Sequence, residues 1–261
     1  MRGFKFWLKN NLLRAINHLL RPFSVKLMGR GDPNRDFEGF LGHVGSLGLE
    51  VRTVIDVGVA YGTDALYRKL RGAKFFLIEP APSALPHLAQ IASRVNAEIH
   101  NVAAGSYDGI VNFNLHDDLS GSSVLKQIEG PGLDGANIPV PVRRLDSLIP
   151  AGFARPALLK IDTQGYELEV LAGAAALLRN IDIAIIECSF HAFRAGAPEI
   201  GEIIQKMAEF DFVPYETLEG HYRVVDNALA QIDLVFVGRS SRFRVQQGMF
   251  SSEQLIKYVK K

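Results

Sequence analysis

From Val51 onward the chain alternates short apolar runs with stretches of helical periodicity. That alternation confines it to a parallel α/β sheet covered by helices. Thr53 to Val57 (TVIDV) reads as a buried strand and Asp64 to Leu70 as a helix. Lys74 to Glu79 reads as a second strand, Pro82 to Val95 as a helix and Glu98 to Val102 as a third strand. Leu158 to Asp162 (LLKID) is a fourth strand, followed by a helix with Leu168, Leu171 and Leu178 on one face. Ile183 to Glu187 is a fifth, followed by a helix near Pro198 to Phe210. Strands near Phe212 to Glu216 and Asp233 to Val237 bring the sheet to about seven. The predicted fold is therefore a Rossmann-like, seven-stranded, mostly parallel sheet with helices on both faces.

Residues 104–148 break this rhythm. Val111 to Leu115 and Ile138 to Arg143 have strand character, and between them runs a Gly/Ser/Asp-rich segment with Ser120, Gly121, Ser122, Ser123, Gly130 and Gly132. It leaves the C-terminal end of the third strand, where open α/β sheets bind ligands, so a lid is favoured over a solvated loop. The expected organisation is an N-terminal appendage over 1–50, a catalytic body over 51–238 with this insertion, and a tail over 239–261.

Charge is segregated along the chain. The formal total is +1, but residues 1–31 carry +7 with no acid, residues 32–238 carry −11, and residues 239–261 carry +5. An acidic body argues against a groove that tracks nucleic-acid phosphates. Phe4, Trp7, Leu8, Leu12, Ile16, Leu19 and Leu20 recur at helical spacing among Lys5, Lys9 and Arg14. Such a basic amphipathic helix either lies on an anionic bilayer or packs on the domain or a second subunit. It does not read as a secretory signal, because charges interrupt every candidate apolar core. No stretch approaches the roughly 18 consecutive apolar residues of a membrane span. The single cysteine, Cys188, excludes an internal disulfide and fits a reducing cytosol. The expected location is cytoplasmic, with peripheral contact at the inner membrane surface through residues 1–31, and a homo-oligomer is compatible with it.

The sharpest local signal is VIDVGVAYGT, Val54 to Thr63, a strand ending in a glycine-bearing turn that opens a helix. Gly58 and Gly62 let the backbone turn tightly and approach a ligand. A dinucleotide fingerprint would need glycines where Ala60 and Thr63 stand, which weakens a nucleotide-dependent oxidoreductase. Asp56 precedes the first glycine by two residues, an arrangement seen in class I methyltransferases. Glu79 follows Asp56 by 23 residues at the end of the second strand, the spacing of a nucleoside-binding unit in which an acid accepts from both ribose hydroxyls. The run Asp162-Thr163-Gln164-Gly165-Tyr166-Glu167 sits at the end of the fourth strand, which neighbours the first and points Asp162 into the crevice. Glu167 falls in the first turn of the next helix, where its carboxylate stabilises the helix dipole or takes part in chemistry.

The motifs VIDVGVAYG, FLIEP, NVAAG, PVRRLDSL and LLKIDTQGYELEVLAGA followed by AIIEC occur in this order. In that order they resemble the FkbM family of S-adenosylmethionine-dependent methyltransferases. The resemblance covers roughly residues 53–190 and continues to Val237. The family pattern usually places Asn where this chain has Ala60. The resemblance implies that Asp56, Gly58, Ala60, Tyr61, Gly62, Thr63, Glu79, Pro80, Ala103 and Asp162 surround S-adenosylmethionine. It also implies methyl transfer to a hydroxyl of a sugar, glycoconjugate or secondary metabolite.

A hydroxyl acceptor needs help losing its proton. The ends of the fourth and fifth strands offer Asp162, Glu187 and His191, with Asp162 the first choice as base or cofactor-orienting acid. Glu187 and His191 could pair with each other, or join Asp162 around a divalent metal, for which the sequence holds no further support. His191 reads equally well as a surface loop histidine. A small-molecule or glycan acceptor is expected, and no nucleic acid. The competing readings are the oxidoreductase and a non-catalytic, membrane-associated binding module that keeps the fold.

Overall fold

The computed structural model describes residues 36–128, 132, 134–246, 248, 251, 255 and 256. The basic amphipathic segment 1–31 and Gly130 lie outside the described residues. The main sheet is built from β1 (Thr53–Val57), β2 (Lys74–Ile78), β3 (Asn96–His100), β7 (Ala157–Ile161), β8 (Ile183–Ser189), β9 (Phe212–Tyr222) and β10 (Leu229–Gly238), in the order β3-β2-β1-β7-β8-β10-β9. The pairs from β3 to β8 are parallel, while β10 runs antiparallel to both β8 and β9. β1 and β7 are buried at every position, as strands covered on both faces must be.

Side chains alternate across the sheet and feed two cores. Val54, Phe75, Leu77 and Leu158 belong to one, Ile55, Val57, Phe76 and Ile161 to the other. The first core also takes in the helix α1 (Phe37–Ser46), whose Phe37, Phe40, Leu41 and Val44 are all buried. This corrects the boundary drawn at residue 50, since α1 is part of the folded body and not of an appendage. Electrostatics fasten it there: Glu38 pairs with Arg68 and Lys69, the former within and the latter at the end of α2 (Asp64–Lys69), both at 2.9 Å. His43 Nε2 also shares a hydrogen bond of 2.8 Å with the Tyr215 hydroxyl of β9.

Three elements depart from the periodicity. β3 begins and ends two residues earlier than expected, because parallel pairing aligns Asn96 with Lys74 and His100 with Ile78. The chain then turns at Asn101, whose side-chain amide donates to the Glu79 carbonyl at 2.8 Å. The helix after β7 stops as α3 (Glu167–Ala172), and Leu177–Asn180 form a separate 3-10 turn. The cause is close packing at Gly173, where a Cβ would lie 1.9 Å from the Gly105 carbonyl oxygen. The Asp146 carboxylate then takes the N–H groups of Ala176 and Leu177, at 3.0 and 2.8 Å, out of the helical ladder. Finally, β9 and β10 run well past the expected strands as a long hairpin, because their outer halves pair with each other and bury little.

Residues 104–148 contribute to a second sheet of β4 (Ala103–Ala104), β5 (Gly109–Leu115) and β6 (Ala136–Arg143), in the order β4-β6-β5. Its Phe113, Val140 and Val142 are buried against the first core. Because Phe40 is fully buried there, Phe40→Ala is expected to cost about 3–5 kcal/mol, read from the denaturant midpoint of unfolding. A loss below about 1 kcal/mol would place α1 outside the cooperative unit.

Candidate active site

The crevice opens where β1 and β7 lie side by side. The Asp162 N–H donates to the Val57 carbonyl at 2.9 Å, which brings the two strand ends into contact. Gly58 then passes under Asp162 with φ +78°, and a Cβ on it would stand 1.8 Å from the Asp162 carbonyl oxygen. Only glycine fits both the conformation and the space.

A cavity of about 290 Å³ lies above this crossing. Gly58, Ala60, Tyr61, Gly62, Thr63, Glu79, Pro80, Ala103, Asp162 and Glu187 all line it. The structure thus brings together ten of the sequence-predicted positions. Phe113, Leu119, Ser120, Ser122 and Val124 of the insertion form the opposite wall. That wall is tied down at two points: Leu119 N–H donates to the Tyr61 hydroxyl at 3.4 Å, and Ser123 Oγ donates to the Gln164 carbonyl at 2.9 Å.

Two predicted residues are elsewhere. Asp56 is 0% exposed and does not line the cavity. It accepts a hydrogen bond from the Tyr67 hydroxyl, which anchors α2 beneath the turn. Its other oxygen has no hydrogen-bond partner among the described residues, and burial raises its pKa. The reason is alternation: in a strand the neighbours of Asp56 point to the opposite face, and Asp56 itself faces the interior next to Lys160, its partner in register on β7. His191 lines a second cavity of about 610 Å³ and is not grouped with Asp162 and Glu187. Among the described residues no group of three or more His, Cys, Asp or Glu side chains is placed to hold a metal ion, and Asp162, Glu187 and His191, for which a shared metal was one open alternative, do not form such a group.

Glu79 uses both carboxylate oxygens on backbone donors, Oε2 on Ala60 N–H at 2.8 Å and Oε1 on Ala81 N–H at 2.9 Å. Each oxygen keeps a free lone pair, so the acid fixes the loop and retains acceptor capacity toward the cavity. Ala60 sits at φ +46°, a left-handed conformation that Asn tolerates better than Ala, which gives a backbone reason for the family's usual Asn.

The DTQG turn is clasped by Glu167. Its Oε1 accepts from Thr163 N–H and Oγ1, both at 3.1 Å, and from Gly165 N–H at 2.9 Å. Its role is to hold the turn, which neither the helix-dipole reading nor the chemical one had given it. Gln164, at φ +56°, directs its side-chain amide to Asp162 Oδ1 at 3.2 Å and Glu187 Oε2 at 2.8 Å. Gln231 Nε2 donates to the same Glu187 oxygen at 2.9 Å.

Lys160 was missed by sequence reasoning. It is 4% exposed, and its ammonium lies 3.0 Å from Asp162 Oδ2. Burial opposes its charge, but Asp162, Asp56 and Asp233 outweigh that and raise its pKa. The signal was a lysine inside an otherwise apolar strand, which has to find a carboxylate when buried. Burial also disfavours charge on Asp162, yet Lys160 and the Gln164 amide hold its carboxyl below the ordinary range. Glu187 goes the other way: burial, then the negative charges of Asp162, Glu167 and Asp233, push it well above. Neighbouring carboxyls are therefore driven apart, the pattern that separates an ionised acid from a protonated one.

The sequence of residues 56–214 matches the family profile described as the methyltransferase FkbM domain, more than half of the chain. The chain belongs to the FkbM methyltransferase family. A curated relative is the hexuronic acid methyltransferase AglP of Haloferax volcanii, 27% identical over 144 residues, or 51% of this chain and 54% of that protein. The chain thus spans about half the length of the curated relative it matches. Among solved structures, an FkbM methyltransferase from Methylobacillus flagellatus is 17% identical, covering 77% of this chain and 48% of that one, with a TM-score of 0.47. A magnesium protoporphyrin IX methyltransferase from Synechocystis, solved with bound S-adenosylmethionine, is 11% identical, covering 77% and 76%, with a TM-score of 0.45.

S-adenosylmethionine is the cofactor that the resemblance implies for the methyltransferase FkbM domain matched by residues 56–214. The residues present fit that group: a tight turn from Gly58 to Gly62 that approaches the ligand with backbone, and the acidic acceptor Glu79 at the end of β2 for hydroxyl donors. Asp162 and Glu187 close the far side of the same cavity.

Gly58→Ala forces a collision with backbone, so it is expected to lose at least about 3 kcal/mol of stability, with S-adenosylhomocysteine binding lost in calorimetry even where folded protein is recovered. A second expectation concerns Asp233, whose pKa burial and the charges of Asp162 and Glu219 push up to about 7, against the opposing pull of Lys160. The folded state therefore holds a proton that the unfolded state releases near pH 4, and stability is lost as pH rises from about 4 toward 7. Asp233→Asn should flatten this dependence, matching the parent near pH 4 and exceeding it by about 1–4 kcal/mol at pH 8, measured by urea denaturation at the two pH values.

Proposed function

We propose that this enzyme transfers a methyl group to a hydroxyl of a sugar or glycoconjugate. The observation that carries this is the carboxyl pair Asp162 and Glu187 in the first cavity, bridged by the Gln164 amide, which also lines the second. The first cavity holds the cofactor-binding turn; the second shares Gln164 and His221 with it as lining and is large enough for a small acceptor. Phe193 and Tyr222 line the second cavity and give it aromatic faces of the kind that pack against sugar rings. The hexuronic acid activity in the name of the Haloferax relative supports the same substrate class.

Bound S-adenosylmethionine supplies an electrophilic methyl on a sulfonium. The chain's own residues position the acceptor and take its proton. A base is most effective when its pKa lies near the working pH, which favours Glu187 over Asp162. Asp162, kept ionised by Lys160, raises Glu187 by its negative charge and orients groups in the cavity. The role of base, expected first of Asp162, moves to Glu187 on these grounds, and His191 is left to the acceptor side.

Glu187→Gln should lower kcat by about 10²- to 10⁴-fold while leaving S-adenosylmethionine affinity within about threefold. The parent kcat should rise with pH through one ionisation above the ordinary carboxylate range, and that limb should vanish in the variant. Unchanged turnover in Glu187→Gln would mean an acceptor that needs no deprotonation, such as a carboxylate, and would overturn the hydroxyl reading.

A further inference from the structure

The second cavity contains a cation that the chemistry above leaves unused. Arg194 lines it and is only 8% exposed, yet among the described residues no carboxylate lies within 4.0 Å of its guanidinium. Its one hydrogen bond to a described residue runs from Nη2 to the Gly121 carbonyl at 2.7 Å. Five N–H donors in a fixed fork are thus served by a single acceptor. Leaving a guanidinium desolvated and unpaired costs stability, and proteins keep such groups where a ligand completes them.

The surroundings fix Arg194 on the wall of the cavity. Arg194 is held by backbone pairing with the insertion: Gln127 bridges it, Ile128 N–H donates to the Phe193 carbonyl at 3.1 Å, and Ala195 N–H donates to the Lys126 carbonyl at 2.9 Å. The nearest acids act at longer range. Asp134 is engaged with the Gln127 N–H at 2.7 Å, while Glu187 and Glu167 belong to the DTQG network. The other arginine of the cavity, Arg223, is already paired with Asp226 at 3.2 Å. Arg194 alone is free for an incoming anion among the cavity's described residues.

We propose that Arg194 is a specificity residue that binds an oxyanion carried by the acceptor, so that this enzyme methylates an acidic sugar, one bearing a carboxylate or a phosphate. This rests on reading the second cavity as the acceptor side of a sugar methyltransferase. The fork matches the two oxygens of a carboxylate or phosphate, and the cavity's aromatic side chains take the ring. Asp162, kept ionised by Lys160, carries the opposite sign, so the anion is steered away from the reacting end and toward Arg194, which orients the sugar.

The test is isothermal titration of the S-adenosylhomocysteine-loaded protein with glucuronate, glucose 1-phosphate and glucose. At least one anionic sugar should bind about 10- to 100-fold more tightly than glucose, the gain of a charge-assisted pair, and the two anions tell carboxylate from phosphate. In Arg194→Gln the preference should fall to about twofold or less, with S-adenosylhomocysteine affinity as the check on folding. Arg194→Lys, which keeps the charge without the fork, should retain only part of it and serves if Arg194→Gln does not fold. No binding of either anionic sugar, equal binding of all three, or a preference that survives undiminished in folded Arg194→Gln or Arg194→Lys would overturn the proposal. Methyl transfer from labelled S-adenosylmethionine is scored separately. An Arg194-dependent preference without transfer to any sugar hydroxyl would refute the proposed function and leave the anion site standing.

Discussion

The joint between β1 and β7 is the constraint on which the rest depends. There the two parallel halves of the sheet meet, Asp162 donates its N–H to Val57, and Gly58 slides beneath the Asp162 carbonyl. In a doubly wound sheet the connections leave in opposite directions at this point and open a crevice. Everything chemical hangs from it: the turn after β1 forms the floor, Glu79 at the end of β2 fixes the loop edge, and the DTQG turn after β7 forms the back.

A second constraint is electrostatic. Lys160 stands inside the central strands with Asp56, Asp162 and Asp233 around it. One buried cation cannot keep every nearby carboxyl ionised, and the geometry decides which it serves. Asp162, at 3.0 Å, is held down, whereas Glu187 and Asp233 are driven up. A sheet end that would otherwise be a row of like charges becomes an ordered set, with Asp162 held below the ordinary carboxylate range and Glu187 and Asp233 raised above it, fixed by the amides of Gln164 and Gln231. In the proposed reaction, Glu187 is for this reason the carboxyl whose ionisation lets it take the acceptor's proton.

Most of the cofactor side was legible because it lies on strand ends with a fixed spacing. Asp162, Glu187 and Glu79 end apolar runs, and Gly58 and Gly62 punctuate a strand-to-helix turn; such signals are local. Asp56 was misplaced because the same spacing does not say which face of β1 it occupies, and it turned out to brace Tyr67. His191 was misplaced because a few residues of irregular chain suffice to carry a side chain into the next cavity. Lys160 left a trace, a charge within an apolar strand. His221 and Arg194 left none, since each reaches its cavity through non-local pairing, on the long β9–β10 hairpin in one case and on the insertion strands in the other.

By itself the sequence determined the class of fold, the chain order of the central strands, the turn that meets the cofactor and the family to which the protein belongs. These follow from hydrophobic period and from residues near one another in the chain. The tertiary structure decided that α1 belongs to the core, which carboxyl is held down and which are raised, and that a second cavity with a buried Arg194 adjoins the first. The physical reason is that burial and field are sums over neighbours distant in sequence. A pKa or an unpaired cation exists only once the fold has chosen those neighbours.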